Sequence, residues 1–262
     1  MTPRALRHAG LLGFELPGLE DCAGLRHVFA ARDPANGAGN LSLSGGRDRA
    51  AALAVRAAWS AHLGVRPADW TCGALVHGVA IRVVGEADRG RGARDSAHVL
   101  TACDGLITET PELPLYLPVA DCGAVLIHRG GARPRLGLFH AGWRGLAAGI
   151  LREAVRRMRE GADDGATWTA AISPCARAAF YAVGPEVLAL APAAAVRRRG
   201  GCGFVDIGAW CVAELHAAGL PAPAVHDCGL DTLDDARCFS HRREGAAGGR
   251  NGLVAALSDR RP

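Results

Sequence analysis

Three residues whose types suit chemistry stand at the ends or breaks of apolar segments: His77, Cys122 and His140. His140 closes the run RLGLFH and is followed by Ala-Gly-Trp-Arg-Gly and then a helical pattern. A strand that ends in a histidine, turns on glycines and feeds a helix presents that histidine at a cleft. Cys122 sits in the Ala-Asp-Cys that separates Leu113–Val119 from Gly123–His128, and His77 lies within LVHGVAIRVV. A Cys/His/His set with one open position is the donor set of catalytic zinc, which takes three protein ligands plus water. Zinc would hold Cys122 as thiolate and activate its water near neutral pH. The intervals are 45 and 18 residues, so no local helix or hairpin motif ties the three together.

Spacing alone leaves other readings open. His140 taken by itself reads as a strand-end histidine satisfied by backbone groups. Cys122 could serve as the nucleophile of a cysteine hydrolase, with His140 or His77 as base. A second set, His226, Cys228, Cys238 and His241 in HDCGLDTLDDARCFSH, has tighter H-x-C and C-x-x-H spacing that would suit a structural zinc. Ordinary buried cysteines would also explain it.

The elements around these residues follow from periodicity and punctuation. LRHVFA at 25–30 reads as a strand, and Asp48 caps a helix carrying Ala52, Val55, Trp59 and Leu63 on one face, with Gly64 as its stop. Leu75–Val84 reads as a strand or a pair of short strands, and 85–96, without apolar anchors, as a mobile loop. Asp104–Thr108, Leu113–Val119, Gly123–His128 and the 135–140 segment read as strands, the last two as a hairpin. One helix follows His140, with Ala147, Ile150, Leu151, Ala154, Val155 and Met158 on a face. Trp168–Ile172 is a strand, Glu186–Leu190 a brief helix, Asp206 the cap of a helix through His216, and Leu253–Leu257 a last strand. Irregular alternation of short strands and helices indicates an α+β class with mixed sheets.

The 262 residues have 49% hydrophobic and 21% charged content, which fits one soluble domain over 1–262. All 30 basic residues are arginines, which excludes lysine nucleophiles, Schiff bases and a Walker-type lysine loop. Any anion must therefore be held by arginine forks, histidines or backbone amides. The net charge of +4 is dispersed, and Arg197–Arg199 lacks the aromatic or glycine company of a nucleic-acid site. Nine cysteines without a CxxC pair fit reduced thiols in a cytoplasm. No secretory signal or membrane span is legible. Ten histidines form no H-x-H pair, which argues against blue-copper and trinuclear copper sites.

VHG at 76–78, DGLIT at 104–108, PVADCG at 118–123 and HAGWRG at 140–145 closely resemble the laccase-domain (YfiH-like) family of zinc-dependent purine nucleoside phosphorylases. The order and spacing match over most of the chain, and NLS at 40–42, SPC followed by Tyr181-Ala-Val-Gly, and CFSHRRE at 238–244 fall where that family has comparable segments. The resemblance implies a layered α/β/β/α sandwich and one catalytic zinc held by His77, Cys122 and His140. It implies phosphorolysis of adenosine, inosine and methylthioadenosine, with inorganic phosphate as cosubstrate, and deamination of adenosine. Some bacterial members are described as peptidoglycan editing factors that remove a wrongly added amino acid such as serine, so an amidase with the same metal is the alternative activity. A zinc-stabilised binding module, closed by a fourth ligand from the 226–241 set, is the alternative of another class.

Beside the metal ligands, Cys122, Asp104 and Arg144 are the expected catalytic residues. Asp104 would orient a ligand histidine or accept a proton. Arg144 follows the metal histidine at a helix start, where the dipole favours an anion. Arg32, Arg144 and Arg242 are expected to bind substrate, with Arg243 a further candidate for the phosphate. The expected partner is a small purine nucleoside, with no nucleic acid and no membrane; the expected state is a monomer in the cytoplasm. The chain departs from the family at Leu75 (usually glutamine), in the short 31–46 loop, in SPCARAAF and at His241 (usually tyrosine). None of these departures touches the three ligands, and several are expected to line the substrate pocket.

Overall fold

The chain alternates from sheet to sheet because its apolar segments are buried on both faces. A computed structural model describes residues 2–259. Five strands, β1 (Arg4–His8), β2 (Leu11–Glu15), β3 (Leu25–Ala30), β14 (Asn251–Leu257) and β6 (Leu115–Val119), form a wholly antiparallel sheet in that spatial order. Six strands, β13 (Val225–Asp227), β9 (Trp168–Ile172), β7 (Gly123–Arg129), β8 (Arg135–Ala141), β5 (Gly105–Thr108) and β4 (Ile81–Val83), form the mixed sheet, parallel at both edges. A small sheet of β10 (Ala182–Val183), β12 (Cys202–Val205) and β11 (Val196–Arg199) flanks it.

Period-2 alternation explains the layering. In β3, Val28 and Ala30 face helix α1 (Arg49–Leu63), while Phe29 faces the six-stranded sheet. In β7, Val125 and Ile127 pack against α3 (Ile150–Met158) and α5 (Ile207–Ala217), while Ala124 and Leu126 face the five-stranded sheet. The result is the α/β/β/α sandwich, α1 on one outside and α3 and α5 on the other. Asp48 caps α1 by accepting from the Ala51 amide, Gly64 ends it with a left-handed turn, and Asp206 caps α5 by accepting from the Ala209 amide.

Several expectations need correction. The 75–84 segment is a strand only at β4; residues before it form a loop in which His77 has φ of 58°. The helix after His140 is two helices, α2 (Trp143–Ala148) and α3, because Gly149 takes φ of 91° and breaks the ladder between them. The 85–96 loop is pinned by hydrogen bonds and by Ala93, which is buried in the core: Arg89 reaches Glu86, Asp69 and the Glu112 carbonyl, and Arg91 gives its carbonyl to Cys72. Strands β1, β2 and β10 to β13 were not legible. Two short helices, α4 (Pro185–Leu188) and α6 (His241–Glu244), complete the elements.

Candidate metal centre

Three adjacent strands of the mixed sheet place the site. β8 pairs with β7 so that Ala124 opposes His140, and with β5 so that Gly105 opposes Phe139. Asp104, His140 and Cys122 therefore come to the same end of the sheet, and the His140 amide donates to the Asp104 carbonyl at 2.7 Å. Parallel pairing of β4 with β5 carries the loop before Ile81 to the same end, and with it His77. His140 and Cys122 share the faces of Leu138 and Ala124, toward the interior between the two large sheets. Cys122 is where it is because Ala120–Cys122 is the crossing from the five-stranded sheet to the six-stranded one. Asp121, with φ of 82°, makes the turn.

The ligand atoms of His77, Cys122 and His140 lie within 4.8 Å of one another, and the two imidazole centroids are 4.7 Å apart. Asp104, wholly buried, organises the trio. Its Oδ1 accepts from His140 Nδ1 at 2.9 Å and from the His77 amide at 2.8 Å, and its Oδ2 accepts from the Gly78 amide at 2.8 Å. The first bond leaves His140 Nε2 as that ring's free donor atom; the others hold His77 in its left-handed conformation. Asp104 thus has the orienting half of the two roles expected for it, having no exposed surface with which to meet a substrate proton.

Burial works to raise the Cys122 thiol, but the charges and hydrogen bonds of His140 and His77 overcome it and hold the thiol at about 6. Burial likewise works to lower His140, and the Cys122 thiolate with Asp104 carries it up to about 9. A thiol so lowered is a metal ligand in waiting. The open space beside the trio is kept by Gly142, where a Cβ would stand 3.0 Å from His77 Nδ1 and 3.1 Å from Cys122 Sγ. One cysteine, two histidines, a buried carboxylate behind one of them and room for an ion fit a metal with an open coordination position.

The other expected residues are dispersed. Arg144 is exposed and stacks 4.2 Å over Trp143, in a helix of only six residues. Arg32 pairs with Glu244 at 3.1 Å, and Arg243 spends its guanidinium on the carbonyls of Thr232, Leu233 and Cys238. Arg242 lies nearer: its amide donates to Asp121 Oδ2 at 2.7 Å and its guanidinium lies 4.9 Å over Tyr181, which feels the Cys122 charge. The 226–241 set does not assemble; among the described residues the metal-capable group is the His77, Cys122, His140 trio. His226 packs against Gly18, Cys228 and Cys238 are buried thiols pushed up by desolvation, and His241 is exposed with its ring against the Gly245 carbonyl. Close spacing in sequence fails because a strand, a turn and a helix cap carry these residues to separate places.

Sequence reasoning passed over Asp121 and Gly142, both inside motifs read for their neighbours. Asp121 is a junction: Oδ1 accepts from Thr232 Oγ1 at 2.7 Å, and its carbonyl accepts from the Ala176 amide.

An α/β/β/α sandwich with a two-histidine, one-cysteine centre at the end of its mixed sheet defines a small class of proteins. The model of the family described as multi-copper polyphenol oxidoreductase laccase matches residues 26–258, and the chain belongs to that family. A purine nucleoside phosphorylase, YlmD, of Geobacillus stearothermophilus is 32% identical over 225 residues, 80% of each chain. One of Streptomyces coelicolor is 33% identical over 225 residues, 82% of this chain and 86% of that one. The crystal structure of the Geobacillus YlmD superposes with a TM-score of 0.84 at 27% identity, over 97% of this chain and 99% of that one. That of Bacillus licheniformis YfiH gives 0.84 at 26%, over 94% and 96%. The family's name speaks of several coppers; the described residues hold a single three-donor group.

Proposed function

We propose that the protein is a zinc-dependent purine nucleoside phosphorylase that also deaminates adenosine and phosphorolyses methylthioadenosine. The observation that carries this reading is the trio within 4.8 Å, with Gly142 keeping space against it, in a chain about a third identical to named phosphorylases. A zinc ion, when bound, would supply Lewis-acid activation at a carbon–nitrogen bond. The chain's own contribution is positional: Asp104 fixes His140 and the His77 loop, and burial among the sheets keeps water from the inner side. The substrate is a small nucleoside met at the exposed side of His77. Among the described residues no helix is long and apolar enough to cross a membrane, and we place the enzyme in the cytoplasm.

The test is to incubate pure protein with adenosine, inosine and methylthioadenosine, with and without phosphate, following base release and ammonia. A Cys122→Ala variant serves as control. Turnover that needs phosphate for base release and vanishes in the variant is expected; full activity in the variant sinks the metal assignment. Inertness toward nucleosides with cleavage of a serine-bearing wall precursor would transfer the function to the amidase. A zinc-stabilised binding module would need a closed fourth ligand, and no residue of 226–241 joins the trio among the described residues; one metal per chain with no turnover on any nucleoside would favour it.

A further inference from the structure

A cavity of about 290 Å³ opens between the Ser42–Ser44 loop, the 72–75 segment leading into His77, Tyr116 and Pro118 of β6, and Arg250. Two arginines line it. Arg56, only 3% exposed, gives its guanidinium to the carbonyls of Leu41, Gly92 and Ala93 and lies 4.7 Å over the Tyr116 ring. Arg250 immediately precedes β14, whose pairing of Asn251 with Val119 sets it at the end of β6, where the chain crosses to Cys122. Its amide donates to Asn40 Oδ1, its Nη1 donates to the carbonyls of Gly248 and Gly249, and it feels the charges of Asp121 and Cys122. Arg47 crowds it from behind, sharing the Gly248 carbonyl at 2.9 Å.

The hydrogen-bond partners of these three guanidiniums among the described residues are backbone carbonyls, not carboxylates. Asp95, the one acid lining the cavity, is committed to its own turn, accepting from the amides of Ala97 and His98 and from the His98 ring. Tyr116, which also lines the cavity, is buried with its ring and hydroxyl against Arg56. Buried positive charge that meets carbonyl dipoles but no carboxylate is not neutralised, and its gathering round one cavity points to an anionic ligand. By contrast Arg32 and Arg243 are paired with the Glu244 carboxylate, and Arg144 is stacked on its neighbour.

We propose that this cavity is the anion subsite of the centre and takes inorganic phosphate, gripped by Arg250 with the buried Arg56 behind it. That phosphate is the anion rests on the phosphorylase reading; the charge and shape of the cavity do not. Arginine forks suit a tetrahedral oxyanion, each N–H meeting an oxygen.

The experiment measures binding of inorganic phosphate to the metal-loaded full chain by calorimetry, beside the phosphate KM where turnover exists. Arg250→Met is expected to weaken phosphate roughly tenfold or more while the nucleoside KM stays within about twofold, and Arg250→Lys to recover part of the loss. Arg82→Gln, an exposed arginine that reaches only Thr101, serves as control. Metal content and thermal transition show that the variants are folded. Phosphate binding that is absent in the wild type, or unchanged in folded Arg250→Met, overturns the subsite even if nucleosides are turned over. Phosphate binding that depends on Arg250, in a protein inert toward nucleosides, upholds the subsite and overturns the phosphorylase reading instead.

Discussion

Asp104 Oδ1 accepts from His140 Nδ1 at 2.9 Å inside a site where neither side chain meets solvent. That single bond selects which imidazole nitrogen faces the metal position. The same carboxylate also takes the amides of Val76, His77 and Gly78, so it couples ring orientation in one strand to loop shape in another. Asp104→Asn keeps the shape but offers one acceptor oxygen where two are used. The expected result is a metal affinity lower by about 10- to 100-fold, read by competition with a chromogenic chelator. Unchanged affinity would mean that the bond does not position the ring.

Gly142 has φ of −80° and ψ of 159°, a conformation any residue adopts, so alanine there carries no backbone strain. Its Cβ would nevertheless press on His77 Nδ1 and Cys122 Sγ. Gly142→Ala should retain the thermal transition within a few degrees and lose metal affinity by at least about tenfold, since ligand geometry tolerates little displacement. A destabilised protein with normal metal content would show the opposite balance.

Phe139 packs between Gly105 and Gly137, where added Cβ atoms would stand 2.7 and 2.5 Å from its ring. The glycines make room for the ring that seals α3 onto the mixed sheet. Phe139→Ala is expected to cost about 3–5 kcal/mol by urea unfolding, and Gly137→Ala about 1–3 kcal/mol. The double variant should cost less than the sum, because the ring that clashes is gone.

Stability should fall in mild acid. Burial lowers His27 and His128 to about 4, and the His27 Nε2 accepts from the Leu16 amide. The unfolded chain binds these protons near 6.5 and the folded chain only near 4. Stability is thus full above about 6.5 and declines as pH falls toward 4, by up to about 3 kcal/mol per histidine. Thermal transitions recorded from pH 7 to pH 4.5 should show the decline, and His128→Asn should flatten part of it. An equal slope in that variant would remove His128 from the account.

By itself the sequence determined the local grammar, and the family resemblance of its motifs singled out the candidate donors. Asp48 and Gly64 bound their helix, LRHVFA is a strand, and the ADC and HAGWRG motifs mark Cys122 and His140 because residue type and punctuation act within a few positions. Tertiary structure decided what lies next to what. The register of β7 and β5 on β8 assembles Cys122, His140 and Asp104, and parallel pairing of β4 with β5 adds His77. The same long-range pairing scatters the 226–241 set and sets Arg250, just before the last strand, at the end of β6. Side-chain spacing along a chain carries no information about sheet register between distant strands. That register is fixed only when both faces of each sheet find their layers, which is a property of the whole fold.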